Sequence, residues 1–271
     1  MAALLTSQLL RVMNLGRGTE LPMVSLPFLD RMVKRLYSQL LLKSSLSMNS
    51  TGRVGFLYGQ GSATVAIFCG EYENRRYEYK AKNPDGSGTL IDGVNNVGDS
   101  TQYGLELAAT IQATEYLVIN ASLGLIEADW DNGVSVEVGG STIDLSGKET
   151  SNVVTESWNL GFNYSRPLAN GFDFIADMQM SYRGEQDGGA PWDVLTNDSF
   201  EVIDLQIGVQ NDRWELMLNI DNVSDEEYYT DFEPFYNFSF AGLTGNGEPA
   251  RIAIGTLGHP RLVTVSVTYS L

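Results

Sequence analysis

The densest group of side chains able to do acid–base or metal chemistry is the run Asp225, Glu226 and Glu227. Carboxylates hold hard cations when several oxygens converge, and they move protons when placed at a fixed separation. No second acidic cluster sits at a spacing that would fix such a geometry, so the run reads as a solvated loop. Asp129, Asp131, Asp144 and Glu149 share one long segment and form a weaker candidate for a hard cation. The single histidine, His259, lies beside Pro260 with no nucleophile elbow to serve, and reads as a residue leading into a strand. Gly59 and Gly61 precede a strand pattern rather than a helix, which does not support a phosphate loop. The lone cysteine, Cys69, excludes an internal disulfide. These residues give no catalytic site, no metal site and no cofactor. Aromatic side chains carry the remaining chemistry. Trp192 and the group Phe232, Phe235, Tyr236, Phe238 and Phe240 crowd two connecting segments, where they can contact a ligand's flat face or pack on one another.

Charge divides the chain. Up to Lys82 there are 11 Lys+Arg against 5 Asp+Glu, a net of +6; the rest carries 6 and 29, a net of −23, and together they give −17. Binding to phosphate backbones needs a basic surface, so no nucleic-acid partner is expected of the acidic part.

The elements that must position these residues are strands. From Arg261 to Leu271, Val263, Val265, Val267, Tyr269 and Leu271 alternate with Thr264, Ser266, Thr268 and Ser270. Period-two alternation marks a strand with one apolar and one polar face, and about ten residues of it cross a tilted bilayer path. The same alternation recurs around 53–58, 63–79, 103–111, 117–125, 158–164, 172–182, 203–209 and 214–220, about nine strands in all. Asn170-Gly171 is a strong hairpin signal. Connections near 113–115, 167–171 and 211–213 are tight, whereas those near 81–100, 128–153, 184–198 and 223–260 are long. Aromatic residues sit near strand ends: Tyr103, Tyr116, Trp158, Tyr164, Phe172, Tyr182, Trp214 and Tyr269. Periodicity alone does not separate a membrane barrel from a soluble β-sandwich. Short turns at one end, long loops at the other and an aromatic girdle favour an all-β, antiparallel up-and-down membrane barrel segment.

The chain divides into residues 1–50, a helical or irregular region, and residues 51–271, the barrel portion. Leu29, Met32, Val33, Leu36 and Leu40 recur at helical spacing around Arg31, Lys34 and Arg35, giving a short basic amphipathic helix. Residues 1–10 are apolar but lack the basic start and small-residue cleavage site of a signal peptide.

Several local patterns resemble one family, the TonB-dependent outer-membrane receptors. The stretch from Trp214 through Asn219, Ile220, Asp221, Asn222, Val223 and Asp225 to Tyr228 and Tyr229 is similar to the family's penultimate strand and the Asn-Leu-Phe-Asp-Lys-x-Tyr-like segment after it. Gly258-His259-Pro260-Arg261 resembles the Gly-x-Pro-Arg that precedes the last strand. Gln102-Tyr103-Gly104-Leu105-Glu106 looks like a common strand start, and Glu71-Tyr72-Glu73-Asn74-Arg75 a strand end. The resemblance covers residues 63 to 271.

It implies an outer-membrane location in a Gram-negative bacterium, contact with outer-membrane lipid, and no enzymatic activity. It implies a role in taking up a scarce ligand (siderophore, cobalamin or glycan), with Trp192, Phe232, Phe235, Tyr236 and Phe238 as ligand-contacting residues of the outer loops. Tyr269 and Leu271 match the C-terminal signal read by the barrel-assembly machinery, although family members usually end in Phe. Family barrels have about 22 strands around a plug domain, and the TonB system acts through that plug. With fewer strands and no plug pattern, the chain is expected to be a C-terminal barrel fragment, not transport-competent alone. The alternatives are a soluble β-sandwich carbohydrate-binding module and a jelly-roll enzyme. A sandwich requires Val265 and Val267 to be buried against a second sheet.

Overall fold

The computed structural model describes residues 48–56, 59–82, 90–138, 141–188, 196–237 and 250–270. The expected amphipathic helix near residues 29–40, and Trp192, Phe238 and Leu271, lie outside them. No α-helix occurs among the described residues. The strands are β1 (Met48–Phe56), β2 (Gly61–Lys82), β3 (Leu90–Gln112), β4 (Leu117–Trp130), β5 (Ser135–Val138), β6 (Ser141–Asp144), β7 (Glu156–Pro167) and β8 (Asp173–Arg183). They continue with β9 (Gln186–Asp187), β10 (Thr196–Asn197), β11 (Phe200–Gln210), β12 (Trp214–Asp221), β13 (Tyr229–Asn237), β14 (Ala250–Leu257) and β15 (Leu262–Tyr269). Nine of them form one antiparallel meander in the order β1-β2-β3-β4-β7-β8-β11-β12-β15. These nine are the strands legible from alternation.

Register turns local alternation into two continuous faces. Ile111 pairs with Ile119, Ile119 with Phe162, Phe162 with Met178, Met178 with Leu205, Leu205 with Ile220, and Ile220 with Val263. One row away, Asn163, Asp177, Gln206, Asn219 and Thr264 are successive partners on the opposite face. A slip of one residue in any pairing would break both rows at once. Among the described residues no second sheet lies against the apolar face: Val265 is 66% and Val267 62% exposed. Those exposures remove the sandwich alternative, because its core requires both valines to be buried. They suit a wall whose apolar face meets lipid.

Aromatic pairs mark the borders of the apolar band. At the short-turn end the rings of Trp214 and Tyr269 lie 4.6 Å apart, and Tyr164 contacts both Tyr116 and Phe174 edge-on. At the other end Trp158 stacks on Tyr182 at 5.6 Å. Along β8 the path from Phe174 to Tyr182 is about 27 Å at the rise of an antiparallel strand, which suits a tilted crossing of the hydrocarbon layer. The short turns are locally determined. Leu168 N–H donates to the Phe172 carbonyl at 2.7 Å, with Gly171 at φ +79° where a side chain would be strained. Asn211 Oδ1 accepts from the backbone of Arg213 and Trp214.

The long connections are more ordered than their composition suggests. Residues 81–100, expected as a loop, are mostly ladder, since β2 and β3 stay paired out to Lys82 and Leu90. A bulge between Tyr72 and Arg76 breaks this hairpin where it leaves the apolar band, with Asn74 at φ +54° and its N–H bonded to Asp99 Oδ1. The other three connections contain the small hairpins β5–β6, β9–β10 and β13–β14. Alternation does not reveal the shortest of them, because two to four residues carry too little period-two signal. The principal cluster of buried apolar side chains also lies here: Tyr77, Trp130, Val134, Val136 and Leu145 pack together, with Val97 and Ile143 against them. In the sheet itself Leu105, Val202 and Met217 are buried, while Val263, Val265 and Val267 at its last strand stay exposed.

Placing a charge on the outward face should destabilise the protein far more than placing it on the polar face. Val265→Arg is expected to cost about 2–4 kcal/mol in a bilayer, whereas Thr264→Arg, next in the chain on the other face, should cost under about 1 kcal/mol. Urea titration of vesicle-inserted protein, followed by tryptophan fluorescence, measures both; equal losses would contradict the assigned faces.

Candidate functional site: a polar wall and its loop end

The face opposite the apolar band is a shallow concavity of about 420 Å³, lined in part by Arg53, Thr64, Ser122, Asn159 and Gln179. A relay of side-chain hydrogen bonds crosses it perpendicular to the strands. Thr110 Oγ1 donates to Asn120 Oδ1 at 2.9 Å, Asn120 Nδ2 to Asn163 Oδ1 at 2.8 Å, and Asn163 Nδ2 to Asp177 Oδ1 at 2.8 Å. These four side chains sit on four different strands, so the relay fixes β3, β4, β7 and β8 in one register. The sequence shows these polar residues singly, but not that they form a row, because rows are set by pairing.

The aromatic candidates separate. Phe232, Phe235 and Tyr236 fall on β13, opposite Gly255, Ile252 and Arg251 of β14. Their backbone is therefore a hairpin rather than an irregular loop. Trp192 and Phe238 are outside the described residues, as is Leu271, while Tyr269 stands at the short-turn border against Trp214.

The acidic candidates each take a local role. Asp144 Oδ1 accepts from Ser146 N–H, and the Ser146 hydrogen bonds hold its carboxyl below the usual range. Asp131 Oδ1 accepts from Thr101 Oγ1. Asp129 and Glu149 face each other in a bridge that closes the root of the β5–β6 hairpin. Among the described residues, no three His, Cys, Asp or Glu side chains are placed to hold a metal ion. Arg75 lies over the rings of Tyr72 and Trp130 and donates to Ser100 Oγ; burial lowers its pKa.

The motifs around Asn222 and Gly258 prove to be halves of one clasp at the end of β12. Asn222 is 2% exposed and adopts φ +50°, a left-handed conformation that asparagine tolerates. Its Nδ2 donates to the carbonyls of Glu226 at 2.8 Å and His259 at 3.0 Å, and its Oδ1 accepts from Glu226 N–H at 2.8 Å. Asp225 accepts from Arg261 N–H at 2.9 Å and meets its guanidinium at 3.5 Å. That ion pair is half-exposed and contributes little by itself; the backbone bond sets where β15 begins. Tyr228 stacks on Phe200, and any side chain at position 258 would run into its ring, which requires Gly258. His259 thus acts through its carbonyl, and Asp225, exposed to solvent like Glu226 and Glu227 as expected, also serves as a tether. Removing the Asn222 amide strands buried carbonyls, so Asn222→Ala should cost about 2–3 kcal/mol. The same urea titration reads it; a loss below about 1 kcal/mol, the size of an ordinary surface change, would show the clasp to be dispensable.

A family model described as "TonB dependent receptor-like, beta-barrel" matches residues 45–223, more than half of the chain. Among solved structures, the siderophore receptor PiuA from Acinetobacter baumannii is 19% identical with a TM-score of 0.59, covering 82% of this chain and 28% of that one. The ferric yersiniabactin uptake receptor FyuA from Yersinia pestis is 16% identical with a TM-score of 0.58, covering 82% and 29%. BauA, the ferric preacinetobactin receptor from Acinetobacter baumannii, is 14% identical with a TM-score of 0.55, covering 82% and 29%. At these identities the structures establish the fold, and the chain spans under a third of each. No curated protein matches. The family consists of transporters rather than enzymes. By its family match and its fold, the chain belongs to the TonB-dependent receptors as part of their β-barrel, and its place is the Gram-negative outer membrane.

Proposed function

We propose that this chain forms a sector of the wall of a ligand-uptake receptor, presenting its polar face to a plug domain and its long-loop end to the ligand. The observation that carries this reading is the amide relay from Thr110 to Asp177, backed by an unbroken apolar face. A wall that is polar inside and apolar outside suits a barrel whose lumen holds a hydrated protein body. The aromatic residues Trp192, Phe232, Phe235, Tyr236 and Phe238 are the proposed ligand contacts, since flat rings suit the organic shell of a metal chelate.

The ligand class proposed first is a metal chelate, ahead of cobalamin or a glycan. The similar solved structures include a siderophore receptor, receptors for ferric yersiniabactin and ferric preacinetobactin, and a copper transporter. In this reading the partners are outer-membrane lipid, the barrel-assembly machinery acting on Tyr269 and Leu271, and the TonB system acting through a plug. Nucleic acid is not among them. Transport then requires a closed barrel and plug, to which these nine strands contribute one part.

The test is uptake and binding together. A strain lacking the gene should lose accumulation of at least one radiolabelled ferric chelate under iron limitation. The Phe235→Ala, Tyr236→Ala double variant, restored to the same membrane level, should weaken binding of that chelate about tenfold, equivalent to about 1.4 kcal/mol. Uptake of ferric chelates, copper, cobalamin and glycans at parental rates in the deletion strain would overturn the proposal.

A further inference from the structure

The root of the β5–β6 hairpin carries a concentration of negative charge that the barrel itself does not need. Trp130 N–H donates to the Lys148 carbonyl at 2.9 Å and Thr150 N–H to the Ala128 carbonyl at 2.8 Å. This pattern makes Asp129 and Glu149 a non-hydrogen-bonded pair of an antiparallel ladder. In such a pair the Cα atoms are about 4.5 Å apart and the side chains project together from the same face. Two carboxylates directly opposite repel. Glu127, two residues before Asp129, projects from that same face and receives the Tyr103 hydroxyl.

A fourth carboxylate arrives from a different loop. Asn152 N–H donates to the Asp187 carbonyl, Gln186 Nε2 donates to Asn152 Oδ1, and Val154 bridges Gln186. These bonds tie β9 to the strand that returns from the hairpin and bring Asp187 within the field of Glu149. Lys148 leaves the turn that precedes Glu149, and its charge acts on Asp144. All three charged groups that act on Glu149, namely Asp129 and Glu127 from β4 and Asp187 from β9, are therefore acidic.

We infer that Glu149 is a proton-operated latch: protonated, it holds the root of the β5–β6 hairpin closed against β4 and β9, and ionised, it drives them apart. The physical basis is like-charge crowding on a half-buried ladder pair. Consistent with this, burial first and then the charges of Asp187, Asp129 and Glu127 raise the Glu149 carboxyl from an ordinary 4.5 to about 7. The sign follows from linkage. Below the ordinary value Glu149 is protonated whether the latch is open or shut, and the closed form bears no penalty. As pH rises from about 4.5 to about 7, opening releases a proton and becomes progressively easier, by up to about tenfold in its equilibrium constant per pH unit. Above that range no further change is expected. The latch is thus shut in acid and loosened at neutral pH. This holds whatever ligand the receptor takes.

The experiment attaches a nitroxide to the thiol introduced by Ser135→Cys in a Cys69→Ser background. The protein is reconstituted in lipid vesicles, and label mobility is read by electron paramagnetic resonance from acid to mildly alkaline pH. Ser135 is exposed on β5, so the label should not disturb the buried cluster. The mobile fraction should rise with pH as a one-proton transition. Glu149→Gln should remain immobile and flat across the range. Asp129→Asn, which removes the nearest like charge while leaving Glu149 ionisable, lowers the Glu149 carboxyl and weakens the repulsion, so the transition should move to lower pH and shrink in amplitude. A flat profile in the parent protein, an unchanged transition in Glu149→Gln, or no shift in Asp129→Asn would each overturn the latch.

Discussion

A backbone amide in hydrocarbon has no water to bond with, and that constraint organises most of this protein. Each strand of the meander satisfies its N–H and C=O groups on its neighbours, so pairing is obligatory rather than merely favourable. Once pairing is obligatory, register decides everything else. The same registration that assembles Ile111, Phe162, Leu205 and Val263 into a lipid-facing band assembles Thr110, Asn120, Asn163 and Asp177 into a relay on the inner face. The two faces are therefore one feature seen from opposite sides. The usual inward burial of apolar side chains is replaced by an outward one, and the compact apolar cluster around Leu145 forms only where the chain leaves the membrane.

The two ends of the sheet solve different problems. At the short-turn end, asparagine side chains and a left-handed glycine reverse the chain within a few residues, and aromatic pairs mark the boundary with the headgroups. The long-loop end has to hold large excursions without losing strand order. It does so by turning loops into hairpins and by clasping the last excursion at both ends, with Asn222 and Asp225 reaching across to His259 and Arg261. The clasp closes a long connection whose ends would otherwise be free to wander, and it fixes the point at which β15 resumes pairing with β12.

The nine long strands are legible because several alternating residues in a row give a clear period, and the turns because Asn-Gly and Asn-Asp pairs have few other uses. The family resemblance rests on residues whose roles become visible only in three dimensions. Gly258 is glycine because the Tyr228 ring occupies the space of any side chain, and Asn222 is asparagine because it serves two carbonyls from a left-handed backbone. The ordered ladder within residues 81–100 is hidden because charge on both faces of β2 obscures its period. The relay and the Asp129–Glu149 pair are out of reach altogether, since they depend on which strands lie side by side. The tethering role of exposed Asp225 is hidden because its partner, Arg261, is distant in sequence.

The chemistry of the inner wall has a mechanical consequence. Asn120, Asn163, Gln179, Gln206, Asn219 and Thr264 on this wall are neutral, and fewer charged groups, Arg53, Glu106, Asp177, Asp204 and Glu215, are set among them. A neutral amide exchanges a protein partner for water with a net change of only about 1 kcal/mol, whereas separating a desolvated ion pair demands several times more. Any polar body seated against such a wall meets many small, replaceable grips between a few strong ones. Sliding it along the strands breaks and remakes the neutral bonds in sequence, so between the charged positions resistance stays low. The neutral stretches act as a wet bearing, and the charged positions are its detents.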